Sequence, residues 1–98
     1  MEIKDFGWAL RVLKAGGRVA REGWNGKGMW LCFMPGMTIA EGMVNSRTRR
    51  FLPSGALPVG GYIVMWTAQG TWQPGWLASQ NDMLAEDWTE IATPAVAA

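Results

Sequence analysis

Two short blocks of this chain carry the side chains best suited to chemistry. One is Gly23-Trp24-Asn25-Gly26-Lys27-Gly28, an indole beside an amide, a cation and glycine-rich backbone. The other runs Trp76-Leu77-Ala78-Ser79-Gln80-Asn81-Asp82-Met83-Leu84-Ala85-Glu86-Asp87-Trp88, two indoles bracketing a run of polar groups. An indole offers a rigid face on which a nucleobase stacks, worth roughly 1–3 kcal/mol per base, and an N–H for the rim of a pocket. Asn25, Ser79, Gln80, Asn81 and Asp82 supply donors and acceptors of the kind that read base edges or ribose hydroxyls. Lys27, and the cluster Arg47, Arg49 and Arg50, carry charge that neutralises phosphate; the planar fork of an arginine suits phosphate oxygens especially well. The bland reading of that arginine cluster is a solvated loop.

Catalysis is poorly served by the same inventory. Asp82 and Glu86 are four residues apart and share a face if the segment is helical, so a paired-carboxylate hydrolase is conceivable. An acidic cluster at a helix more often serves capping and solubility. The chain has no histidine, which removes the usual base for a thiol nucleophile and the commonest metal ligand. Cys32 is the single cysteine. It lies in the apolar run Met29–Met34 and reads as a buried, inert thiol. The glycine-rich block matches neither the phosphate loop nor the dinucleotide fingerprint, and no metal-ligand spacing is present. The expectation is therefore a binding protein without catalytic residue, metal or cofactor.

Composition narrows the partner. A net charge of +1 argues against a polymeric nucleic acid, which calls for a basic stripe. No apolar run approaches the 18 or so residues of a membrane span, and Met1–Asp5 does not read as a signal peptide; the cytosol is the default expectation. The 98 residues suit one domain, expected over 1–92 with a loose tail at 93–98. A chain of this size has a marginal core, and its charged share of 17% lies below the usual quarter. Association with copies of itself follows as an expectation.

The elements that position these groups can be read from local pattern. Asp5 caps a helix over about 5–15 whose stripe is Phe6, Ala9, Leu10 and Leu13, and Gly16-Gly17 ends it. Arg18–Arg21 alternates as a strand. Asn25-Gly26 predicts a hairpin turn into a second strand over 29–34, which Pro35-Gly36 breaks. The middle, 37–61, is irregular, with possible short strands at 43–45 and 49–52. Tyr62–Thr67 is a strand, turned back at Gln69-Gly70 onto Thr71–Gln73, with Pro74 ending the pairing or marking an edge. Ser79 and Asp82 form a capping box for a short helix that buries Met83 and Leu84. Trp88–Ile91 is the last strand. The predicted class is α+β: a small antiparallel sheet, an N-terminal helix, and a short C-terminal helix before the last strand. Trp8, Trp30 and Trp66 fall inside these patterns and read as core or subunit interface. Trp24, Trp76 and Trp88 flank turns and polar groups and are the stacking candidates.

Four sequence blocks also carry a resemblance. Phe6-Gly7-x-Ala9-Leu10 with Ala15-Gly16, Ala20-Arg21-x-Gly23-Trp24-Asn25-Gly26-Lys27-Gly28, Tyr62-Ile63-Val64-Met65, and Ser79-Gln80-x-Asp82-Met83-Leu84-Ala85-x-Asp87-Trp88 resemble a phage and prophage family of small domains. That family includes the second class of Thoeris anti-defence proteins. The likeness spares only about 37–60 and the tail; Ala78 stands where many members have proline. The resemblance implies a non-catalytic sponge that captures a cyclic nucleotide immune signal intact: a cyclic ADP-ribose isomer and, for some members, cyclic oligonucleotides in separate pockets. It also implies a homotetramer with pockets between protomers, in which Trp24 and Asn25 line the pocket and the Ser79-Gln80-x-Asp82 block reads the ligand from the neighbouring chain. Lys27 or the arginines at 47–50 would neutralise phosphate. The competing reading is a tryptophan-rich module that covers a host defence protein directly.

Overall fold

A computed structural model describes residues 4–24 and 27–92. Among them the chain is α+β: helix α1 (Phe6–Lys14), strands β1 (Arg18–Arg21) and β2 (Trp30–Met34), β3 (Met37–Ile39), helix α2 (Ser46–Arg49), β4 (Leu57–Val59), β5 (Tyr62–Trp66), β6 (Trp72–Pro74), helix α3 (Gln80–Leu84) and β7 (Trp88–Ile91). Five strands form an antiparallel sheet in the order β6-β5-β2-β1-β7. Asn25-Gly26 and the tail at 93–98 lie outside the described residues.

The Asp5 carboxylate accepts from the Trp8 amide at 2.8 Å and starts α1. Gly16, at φ 95°, ends it in the left-handed region where glycine avoids the clash of a Cβ. The buried face is Trp8, Ala9 and Leu13, with Phe6 and Leu10 half-buried. That stripe is rotated slightly from the expected one because the helix meets Val19, Leu31 and Trp88 of the sheet. Strand alternation sends Val19, Leu31 and Trp88 to this helical side. Arg21 stands on the same side as Val19, directly opposite Trp88.

The other side of the sheet has no helix over it among the described residues. Register and alternation give it Arg18 and Ala20, Trp30, Cys32 and Met34, Tyr62, Val64 and Trp66, Trp72 and Pro74, and Thr89 and Ile91. Trp30 and Trp66 face each other across β2 and β5 with ring centroids 5.9 Å apart, and Trp72 meets Trp30 edge-on. Arg18 lays its guanidinium 4.7 Å from the Trp30 ring centroid. Trp8 is therefore a core residue, whereas Trp30 and Trp66 sit half-buried on the uncovered face. Cys32 is half-buried there too, rather than interior, and desolvation pushes its thiol pKa up.

The middle segment differs from its expected form. Met43–Asn45 and Arg49–Leu52 are not strands. Residues 41–43 make one 3₁₀ turn, and α2 starts at Asn45, whose side chain accepts from the Thr48 amide. The strands are instead β3 and β4, which continue the β2–β5 register: Met34 stands opposite Tyr62, and Met37 opposite Val59. The two pairs make one long hairpin interrupted at Pro35, which lacks an amide donor. Strands of three residues are too short to show alternation, and pairing across seventeen intervening residues leaves no local signature. Pro74 ends β6 at the sheet edge, where a missing donor is tolerated.

Leu31 is fully buried between α1 and the sheet. Leu31→Ala is expected to cost about 2–5 kcal/mol in urea denaturation, while Gln69→Ala in the exposed β5–β6 turn should stay within about 0.5 kcal/mol. Near-equal costs would contradict this core.

Candidate functional site

Where the ends of β1 and β7 meet α3, four aromatic rings and two carboxylates converge. Trp88 is at the centre, 1% exposed. Phe6 lies 5.6 Å from it, Trp24 5.5 Å at 80°, and Trp76 6.3 Å at 86°, all between ring centroids. Trp24 and Trp76 also meet each other edge-on at 6.4 Å. Each such edge-to-face pair adds about 0.5–1.5 kcal/mol beyond area burial.

Asp82 binds this cluster to the backbone. The Ser79–Asp82 capping box forms as expected: Ser79 Oγ accepts from the Asp82 amide, and Asp82 Oδ2 accepts from the Ser79 amide at 3.0 Å and the Ser79 hydroxyl at 2.9 Å. Asp82 Oδ1 accepts from Arg21 Nη1 at 2.9 Å and from the Trp24 indole N–H at 3.2 Å. The Trp88 indole N–H donates to the Asp82 carbonyl at 3.1 Å. Arg21 Nε also donates to Asp87 Oδ1 at 2.9 Å, and Asp87 Oδ2 accepts from the Gly23 amide at 2.7 Å. A Cβ at Gly23 would sit 2.8 Å from Asp87 Oδ2, so a side chain there would displace that carboxylate. Burial raises the Asp82 pKa, but the donors from Arg21, Ser79 and Trp24 outweigh it and hold the carboxyl below its ordinary value. Arg21 chiefly holds Asp87 down, and the guanidinium is itself raised.

This geometry revises several expected roles. Asp82 has four donors on its two oxygens, the full capacity of a carboxylate, so it has no acceptor left to read a ligand. Ser79 is largely used in the same box. Trp88 has its ring faces enclosed and belongs to the core, not to a stacking surface. Its placement between polar groups in sequence misled because β7 carries it inward opposite Arg21. Met83 and Leu84 are not buried: they are 47% and 79% exposed, and the buried residue of α3 is Asp82. Glu86 lies beyond α3 and is exposed, so Asp82 and Glu86 do not share a helical face. Asp82 is joined through Arg21 to Asp87 instead.

Trp24 and Trp76 are half-buried against the core cluster, and Lys27, Gln80 and Asn81 are exposed near them in sequence. Asn25 lies outside the described residues. Arg49 ion-pairs with Glu41 at 3.5 Å and donates to the Pro53 carbonyl, and Arg50 stacks on Phe51. Both are occupied locally in the 37–59 segment, and no hydrogen bond among the described residues ties them to the aromatic cluster. Sequence reasoning gave Arg21 and Asp87 no role. A signal existed: Arg21 shares the Val19 face of an alternating strand, and a cation turned toward a core needs carboxylates.

No group of three or more potential metal ligands gathers among the described residues, and no helix there is long and apolar enough to cross a membrane. The comparison with known families is decisive for descent. Residues 4–91 match the Tad2-like model, the Thoeris anti-defense 2-like domain. The chain belongs to this family. It is also similar to Thoeris anti-defense 2 of Bacillus phage SP01, 37% identical over 88 residues, which cover 90% of this chain and 94% of the relative. The Thoeris anti-defense 2-like match spans every element that builds the Arg21–Asp82–Trp24 cluster, from α1 to β7.

A carboxylate whose folded pKa is depressed stabilises the fold above its unfolded value, near 3.9, and loses that contribution as pH falls through the folded value. Chemical denaturation between pH 8 and pH 2 should therefore show no loss from this network at pH 5–8 and a decline below about pH 4. Arg21→Gln should make that acid decline shallower. An unchanged acid limb would show that the two carboxylates are not held by Arg21.

Proposed function

We propose that this protein is a phage anti-defence sponge that binds and sequesters a cyclic nucleotide immune signal without cleaving it. The ligand class is a cyclic ADP-ribose isomer of the Thoeris type, with cyclic oligonucleotides as a second class. The observation that carries this reading is a family match running through the whole aromatic cluster. A phage relative bearing the Thoeris anti-defense 2 name adds to it. The chemistry supports it too. Trp24 and Trp76 offer ring faces for a base, while Gln80, Asn81 and Lys27 offer exposed polar groups that hydroxyls and phosphates can meet. Asn25 and Arg49 or Arg50 are further ligand contacts in this proposal, the arginines once released from their local partners.

Large apolar side chains flank the site in sequence and are open to solvent in one chain: Leu77 is 89% exposed and Leu84 79%. We assign the covering of such surface to other copies of the chain, four in the assembly, with ligand held between protomers. The uncovered sheet face supports self-association. Arg18 is the one charged side chain among the described residues of that face, and interfaces between identical subunits are the more apolar kind. The host bacterial cytoplasm, where such signals are made, is the compartment this reading requires.

The test is capture and release. Protein incubated with a cyclic ADP-ribose isomer, filtered and heat-denatured should return the ligand with unchanged mass. A hydrolysed or otherwise altered product would point to an enzyme, and no depletion from solution would sink the sponge. Trp76→Ala should weaken binding by roughly 1–3 kcal/mol, about fivefold to 150-fold, in calorimetry. Native mass spectrometry of the unliganded protein should show tetramers that Trp66→Arg reduces; a monomer at micromolar concentration would remove the subunit-seam site. Binding of a host defence protein with no nucleotide affinity would favour the covering-module alternative.

A further inference from the structure

Gly23 and the half-buried Trp24 follow β1 and are held by two carboxylates from a distant part of the sequence. Asp87 accepts the Gly23 amide and Asp82 accepts the Trp24 indole N–H. A single group joins the two acceptors: Arg21 donates from Nε to Asp87 and from Nη1 to Asp82, both at 2.9 Å. We propose that Arg21 is the positioning residue of the ligand site, fixing Asp82 and Asp87 side by side so that they clamp Gly23 and Trp24 and present the Trp24 ring to the ligand. This rests on the reading of Trp24 as a ligand-stacking residue.

The physical argument is one of geometry and charge. Two carboxylates this close repel unless a cation lies between them. A guanidinium satisfies both through its fixed fork; an ammonium is a compact point charge without that shape. Side-chain exposure is 18% for Arg21 and 12% for Asp82, so water replaces the missing donor poorly. The approach is also tight at Gly23, where a side chain would displace the Asp87 carboxylate. Without Arg21, Asp82 keeps its capping-box donors on Oδ2 and loses the partner that orients Oδ1 toward Trp24. The loss should thus fall on Trp24 before it falls on α3 or the core.

Asp82 provides its own control, because it receives two indole N–H groups by different atoms. Trp24 donates to the side-chain Oδ1, whereas Trp88 donates to the main-chain carbonyl inside the core. In ¹⁵N–¹H spectra of the full chain, Arg21→Gln should speed solvent exchange of the Trp24 indole N–H by about tenfold or more and leave that of Trp88 unchanged. Arg21→Lys should behave like Arg21→Gln although it keeps the charge, and Asp87→Asn should give a smaller change in the same direction. Affinity for a cyclic ADP-ribose isomer should fall about tenfold in Arg21→Gln. In a Trp24→Phe background, which retains a ring but no N–H, the same substitution should lower it by less than about twofold. An unmoved Trp24 signal in all three variants would overturn the proposal, as would Trp24 and Trp88 losing protection together, which would mark Arg21 as a general strut of the fold. If the unsubstituted protein binds no cyclic nucleotide, the sponge reading fails by itself, and the indole spectra still decide whether Arg21 positions Trp24.

Discussion

The Asp82 carboxylate is the constraint around which this end of the molecule is arranged. A carboxylate taken largely out of water must be met by donors on both oxygens or it would lose its charge. Here the donors are three residues from two separate parts of the chain: Arg21 and Trp24 at and just after the end of β1, and Ser79 at the start of α3. Satisfying one buried charge therefore fixes Trp24, the α3 N-terminus and, through Arg21 and Asp87, the start of β7. The aromatic cluster is packed against a polar frame rather than held by contacts between rings alone.

This frame divides the tryptophans by task. Trp88 fills the space between α1 and the sheet and gives its N–H to the Asp82 carbonyl, so it is structural on both counts. Trp24 has its N–H fixed by the Asp82 carboxylate and is only half-buried, which sets it apart from Trp88. Trp30, Trp66 and Trp72 lie on the opposite side of the sheet, where Arg18 covers one ring and donates to the Ala92 carbonyl. A domain that places indoles on both faces of one sheet has more apolar surface than its single layer of helices covers. The proposed assembly of several copies is the physical answer to that excess.

Local patterns revealed most of the elements because they are statements about neighbouring residues. The cap at Asp5, the stop at Gly16, the β5–β6 hairpin and the Ser79–Asp82 box each depend on contacts within four or five positions, and each is visible in the chain itself. The long β3–β4 ribbon was not legible, since its strands are three residues each and meet across a span that contains α2. The inward turn of Trp88 and the outward turn of Met83 and Leu84 were also missed. Both follow from how α3 and β7 sit against α1, which no periodicity over five residues can express.

By itself, the sequence determined the α+β class, the order of α1, the strands of the main sheet and α3, the lack of histidine chemistry, and the family, through four motif blocks. Only the tertiary structure decided which polar groups of those blocks remain open to a ligand. Asp82 reads as a helix-capping residue with an oxygen to spare until Arg21, sixty-one positions away, is seen on that oxygen. The reason is that burial and hydrogen-bond capacity are properties of a place in space. A residue's type states what it can bind, and the fold alone states what already occupies it.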